Sequence, residues 1–216
     1  MQKIIIILIA LSSTMIFTQK NVACKNKHNY DITITIKNGY FYPQEKSLRN
    51  IFDKHGNKGG FWFEGAMRYD LYKGLNIETS GSYFKHDGYA LCGNEKTTIT
   101  IPTFGLGLKY FCPAHDKIVP FIGSGLRLFF YKEQNCSQYV TSFSKTVVGG
   151  MINAGLEFKV HNGFFIDLAF DYNIAKLKNN CCSAYFHNNI LSCCPSCYND
   201  IYIGGIIASI GIGYTF

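Results

Sequence analysis

From Ile32 onward, apolar and polar residues alternate with a period of two, the mark of strands that bury one face and not the other. In Ile32 to Tyr42 the residues Ile32, Ile34, Ile36 and Tyr40 share one parity; Thr33, Thr35, Lys37 and Gly39 share the other, and Pro43 ends the run. A polar segment with Gly56, Gly59 and Gly60 as breakers follows. Phe61 to Tyr72 then sets Phe61, Phe63, Met67, Tyr69 and Leu71 against Trp62, Glu64, Ala66, Arg68 and Asp70. Lys73-Gly74 is a tight turn into a third strand, Leu75 to about His86, in which Leu75, Ile77 and Tyr83 oppose Asn76, Glu78, Ser80 and Ser82.

The fourth strand, Thr98 to Phe111, sets Phe104, Leu106, Leu108 and Tyr110 against Thr103, Gly105, Gly107 and Lys109. Above Pro102 the apolar residues Ile99 and Ile101 sit on the opposite parity, which predicts a bulge or an end beyond the apolar layer. Ile118 to Tyr131, Thr146 to Val160 and Phe164 to Ile174 repeat the alternation, the last two joined by His161-Asn162-Gly163. The longest loop, Ala175 to Asp200, leads to the closing strand, Ile201 to Phe216. There Ile206, Ile210, Ile212, Tyr214 and Phe216 face one way and mostly small residues face the other.

This makes eight strands of roughly 10 to 15 residues, longer than the roughly 5 to 6 common in globular sheets and enough to cross a bilayer when tilted. Short connections (Lys73-Gly74, Cys112 to Lys117, His161 to Gly163) alternate with long ones. A soluble, ligand-holding barrel also alternates, but several features put lipid on the apolar side. Charges well inside strands all fall on the parity that also holds most glycines: Lys37, Glu64, Arg68, Glu78, Lys109, Arg127, Glu157, Asp167 and Asp171. A lipid-facing Arg or Lys at mid-membrane would cost about 2–4 kcal/mol, so this sorting has a physical cause. Aromatics on the apolar parity gather in two belts. Tyr40, Tyr42, Phe61, Tyr83, Phe130, Tyr172 and Tyr202 lie toward the long loops; Tyr69, Tyr110, Phe158, Phe164, Tyr214 and Phe216 lie toward the short turns.

The closing strand, with its final Phe216, Tyr214 two residues before it and Ile212 upstream, resembles the C-terminal assembly signature of bacterial outer-membrane β-barrels. From Ile32 to Phe216 the chain is similar to the small eight-stranded outer-membrane barrels, the family that includes the OmpA transmembrane domain, OmpW and the opacity-type surface proteins. The resemblance implies an all-β, antiparallel up-and-down transmembrane barrel in the outer membrane, with long loops extracellular and short turns periplasmic. It also implies contact with the outer-membrane assembly machinery through the last strand. It carries over no individual functional residue.

Composition narrows the reading further. Only 16% of the 216 residues are charged and 16% are aromatic. The net charge of +7 is spread over loops and the leader, which excludes the clustered basic stripe of a nucleic-acid binder. Lys3 followed by apolar Ile4 to Leu11 reads as an export signal, cleaved between Thr18 and Cys24, so that residues 25–216 are the barrel domain. Cys24 is a weak candidate for lipidation, because Asn21 stands where a lipobox has Leu.

In an eight-stranded barrel the interior is just wide enough for side chains to fill it. The inward charges, nearly balanced in sign, predict a mutually paired network that plugs the lumen; a narrow wet pore is the alternative. Of the nine cysteines, Cys92, Cys136, Cys181, Cys182, Cys193, Cys194 and Cys197 lie in long loops and are disulfide candidates, an odd number that leaves one over. Cys194-x-x-Cys197 also has zinc-ligand spacing, which an oxidising exterior disfavours. The best catalytic constellation, Ser82, His86 and Asp87, is weak, since adjacent residues of an extended chain point apart. The expectation is a monomeric, non-enzymatic surface barrel without cofactor whose loops carry any external ligand. A narrow channel for small or apolar solutes is the second reading and a lipid-modifying enzyme the third.

Overall fold

The computed structural model describes residues 31–52, 58–89, 96–112, 117–135, 143–178 and 200–216. The strands are β1 (Ile32–Pro43), β2 (Gly60–Tyr72), β3 (Leu75–Tyr89), β4 (Lys96–Thr100), β5 (Thr103–Phe111), β6 (Ile118–Asn135), β7 (Phe143–His161), β8 (Phe164–Ile174), β9 (Lys176–Lys178), β10 (Asp200–Tyr202) and β11 (Gly205–Thr215). One short helix, α1 (Lys46–Phe52), follows β1.

Every pairing in the main sheet is antiparallel, and the sheet closes on itself. Going round, β1 pairs with β2, β2 with β3, β3 with β4 and β5, and these two with β6. The ring continues through β7, β8 and β11 and returns to β1. β4 and β5 share one position, so the ring has eight places. Closure leaves the spanning region without a free edge, which a bilayer requires because it offers nothing to hydrogen-bond an exposed backbone. The seam joins the two ends of the described barrel: Thr33 pairs with Thr215, their hydroxyls 3.1 Å apart, and the Phe216 amide donates to the Ile32 carbonyl.

Lys73-Gly74 and Asn162-Gly163 both take positive φ at their two central residues, the turn form whose twist matches that of the flanking strands. Along each spanning strand one parity is exposed and apolar and the other is buried. The exposed parity carries Ile34, Phe63, Leu106, Leu126, Ile152, Phe170 and Ile210, an apolar surface that lipid covers in an outer-membrane barrel.

At the loop end the structure departs from sequence reasoning in three places. The segment after β1, read as an irregular polar linker, holds α1. The fourth strand is interrupted at Ile101 and Pro102, yet its parity does not change. Ile101 and Phe84 exchange backbone hydrogen bonds and Pro102 accepts from Phe130, so the ladder runs on and both Ile99 and Ile101 point inward. No bulge is needed, because the lumen at that level is itself apolar. Finally, the closing strand, read as running unbroken from Ile201, is interrupted at Ile203 and Gly204, and Asp200–Tyr202 (β10) forms a small ladder with β9 at the two ends of the long seventh loop.

Candidate functional site: the barrel lumen

The inward parity builds three layers. Nearest the turns, Phe111, Val119, Phe121 and Ala169 pack together, and Phe165 is buried at the same end. Arg68 lies over this floor, its guanidinium carbon 4.1 Å from the Phe111 ring centre and 5.6 Å from that of Phe165. It pairs with Glu157, Nη1 donating to Oε1 and Nη2 to Oε2.

The middle layer holds the other inward charges. Lys109 Nζ lies 2.6 Å from Glu78 Oε2 and 4.8 Å from the Phe121 ring centre. Lys37 Nζ sits 3.5 Å from Asp167 Oδ2 and 3.8 Å from Glu64 Oε1. Arg127 Nη2 donates to Glu64 Oε2 at 2.7 Å. Glu64 therefore joins Lys37 and Arg127, and Lys37 joins Glu64 to Asp167. Arg68–Glu157 and Lys109–Glu78 stand as separate pairs. Asp171 is buried without a cation in ion-pair range among the described residues. Lys37, Glu64, Lys109 and Arg127 are each only 2% exposed. For these four, opposed charges within contact distance offset the cost of burial; Asp171, 3% exposed, has no such partner among the described residues. Glycine makes room: a Cβ on Gly211 would fall 2.7 Å from Lys37 Cγ, and one on Gly123 2.7 Å from Lys109 Cγ.

The upper layer was not anticipated as a unit. Phe41, Trp62, Phe84, Ile99, Ile101, Phe129, Tyr131, Ile203 and Ile207 fill the lumen toward the loops. Phe41 meets Phe84 edge-on at 5.0 Å and lies 5.7 Å from Trp62. Arg127 ties the layers, its guanidinium 5.5 Å from the Trp62 ring. Helix α1 lies across the mouth and puts Leu48 and Phe52 into this cluster. A Cβ on Gly88 would meet the Ile51 carbonyl at 2.3 Å, so only glycine lets the helix come this close. The signal was present in the sequence as a run of large apolar residues on the inward parity above the charges: Phe41, Trp62, Phe84, Phe129, Tyr131.

Ser82, His86 and Asp87 do not converge. The Ser82 hydroxyl is hydrogen-bonded to that of Thr103. His86 packs edge-on against Phe52 at 4.5 Å, and burial pushes its pKa down against the smaller pull of Asp87. Asp87 is on the outward face, where Thr98 donates to it at 2.7 Å and Lys96 lies 3.7 Å away. Of the terminal signature, Ile212 and Phe216 face outward, and the Tyr214 ring lies between that of Phe164 (4.7 Å, tilted) and that of Phe216 (4.8 Å, edge-on). The seven disulfide candidates Cys92, Cys136, Cys181, Cys182, Cys193, Cys194 and Cys197, together with Cys24 and the leader, lie outside the described residues. Cys112, partly exposed at the start of its turn, is a free thiol.

The family model for the outer membrane protein β-barrel domain matches residues 8–216. Among solved structures, the chain is similar to the outer membrane protein OprG from Pseudomonas aeruginosa (TM-score 0.60, 16% identity, covering 87% of this chain and 96% of that one). It is also similar to Neisserial surface protein A (TM-score 0.58, 14% identity, 86% and 97% covered). A third similarity is to Ail, the attachment invasion locus protein of Yersinia pestis (TM-score 0.53, 15% identity, 87% and 99% covered). At these identities the likeness is one of fold. No curated protein matches the chain in sequence.

Proposed function

The chain belongs to the outer membrane protein β-barrel family, and from that premise we propose that it is a non-conducting, non-enzymatic surface barrel: a solid anchor that holds its long loops at the cell exterior. One observation carries this reading. The lumen is filled through three successive layers, aromatic, ionic and apolar, with its charged side chains almost wholly buried and a helix seated across the mouth. On this reading the filled interior stiffens the wall and closes the path to solutes.

The arrangement of Ser82, His86 and Asp87 supports the non-enzymatic side. The serine is engaged, the histidine is packed between rings, and the aspartate faces the other way. On this reading the long connections are extracellular and disulfides staple the cysteine-rich ones. Tyr214 and Phe216 present the last strand to the assembly machinery, and the barrel works as a monomer because its sheet has no edge left to pair. Planar-bilayer recording tests the proposal. The protein should show no steady conductance; a stable open level that changes ion preference in Lys37→Gln or Asp167→Asn would overturn it and favour the narrow channel.

A further inference from the structure

The outward face just above the loop-side aromatic belt carries a four-strand row that neither the lumen nor the fold explains. Cross-strand register sets Lys85 on β3 opposite Thr100 on β4, Thr100 opposite Lys132 on β6, and Lys132 opposite Ser144 on β7. Cation, hydroxyl, cation and hydroxyl thus lie side by side. Both lysines and Ser144 are exposed, and Thr100 is partly exposed between the lysines. The row immediately below is Tyr83, Pro102, Phe130 and Thr146, with both aromatic rings exposed on the same face.

Spacing makes this a headgroup-level feature. Two residues along a strand span about 6–7 Å, and two strand intervals separate the lysines by about 10 Å. Tyr and Phe in this position sit at the membrane–water boundary. Ammonium groups one row higher stand at the depth of lipid phosphates, and their flexible stems can converge from both sides on one anion over the Thr100 hydroxyl. Asp87, two residues beyond Lys85 on the same face, also feels the Lys85 charge, but its closest partners lie elsewhere. Asp87 is held by Thr98 and Lys96, and Glu133 accepts from the Tyr131 hydroxyl at 2.9 Å.

We propose that Lys85, Thr100 and Lys132, with Ser144 beside them, form a binding site for the phosphate of an anionic lipid headgroup in the loop-side leaflet, with Tyr83 and Phe130 packing the same lipid's upper acyl region. The site uses the barrel's lipid-facing surface and does not depend on whether the lumen conducts.

Native mass spectrometry of the membrane-assembled protein, released from bilayer nanodiscs of phosphatidylcholine containing a minor fraction of phosphatidylglycerol, tests this directly. Wild-type protein should retain phosphatidylglycerol preferentially. Lys85→Gln/Lys132→Gln should lower that retention about tenfold or more, since each lysine near an anionic surface contributes severalfold. Lys85→Arg/Lys132→Arg should keep it. A charge-matched control at the mouth, Lys46→Gln/Lys58→Gln, should leave it unchanged. Heat-modifiable gel mobility checks that each variant is folded. Equal retention of the two lipids by wild-type protein would overturn the proposal. So would equal losses in both glutamine doubles, which would reduce the effect to net charge. Displacement of the lipid by millimolar inorganic phosphate would reassign the row to free anions and overturn the lipid assignment.

Discussion

Glu64 on β2 and Arg127 on β6 meet inside the barrel at 2.7 Å, although β3 and the β4/β5 position separate their strands in the wall. Their contact crosses the lumen and ties opposite parts of the sheet together. Lys37 shares the same carboxylate at 3.8 Å. Removing one partner strands a dry charge, whereas removing both removes the desolvation cost with the attraction. Glu64→Gln alone should therefore destabilise the folded barrel by about 3–5 kcal/mol. Glu64→Leu/Arg127→Leu should cost clearly less than the sum of its single changes. Urea unfolding in detergent micelles, followed by gel mobility, measures the cycle; additivity would show that the two groups do not act as a pair.

Glycines divide by parity. Gly125 faces the lumen wall, where an added Cβ would lie 2.4 Å from the Leu106 carbonyl and 2.5 Å from Gly107 Cα. Gly81 faces outward with nothing within 4 Å. Gly125→Ala should force the backbone apart and lower the yield of folded barrel severely. Gly81→Ala should be neutral or stabilising, because it restricts the unfolded chain at no steric cost. The folded fraction on unboiled gels, compared between the two variants, checks the contrast.

The apolar layer beneath α1 should contribute as a protein core does. Phe84 is fully buried and meets Phe41, Phe52 and His86. Phe84→Ala should cost about 3–5 kcal/mol, and Phe84→Leu much less. Intrinsic fluorescence of Trp62, the sole tryptophan and a member of the same cluster, should shift to the red in the alanine variant. An unchanged spectrum and midpoint would mean that the mouth is not packed.

Docking of α1 should depend on pH. Burial beside Phe52 holds the His86 pKa below its ordinary value of 6.5. A histidine whose folded pKa is depressed contributes its packing fully above the unfolded pKa, and that contribution is lost as pH falls through 6.5 and below. Hydrogen exchange of the α1 amides, corrected for intrinsic rates, should therefore accelerate between pH 7.5 and pH 5 in the wild type. His86→Gln should abolish the dependence. Asp87 acts in a different window: Thr98 holds its carboxyl below the usual range, so its contribution fades only at lower pH. Acceleration confined to those lower values would point to Asp87 instead.

Much of the spanning wall was legible because alternation is a strict code. Each of Lys37, Glu64, Arg68, Glu78, Lys109, Arg127, Glu157, Asp167 and Asp171 is buried, and the strand that carries each one keeps its parity. What failed to show was α1, whose seven residues, Lys46–Phe52, are too few to display a helical period. Ile99 and Ile101 keep the inward parity read for them; of the two explanations offered, a bulge or an end beyond the apolar layer, the bulge is absent, since the register runs on unchanged across Pro102. Hydrophobicity alone suggests a bulge there because at the loop end the inside of this barrel is as greasy as its outside.

The order of residues alone determined the eight-place barrel, its outward apolar face and the inward set of charges, because a strand alternates its side chains whatever it packs against. Which charge meets which was decided only on closure. Glu64 and Arg127 are 63 positions apart, and their contact depends on the curvature and stagger of the whole ring. The same holds for the mouth, where a helix finds its seat only once Phe84, His86 and Gly88 have been brought together on the finished wall.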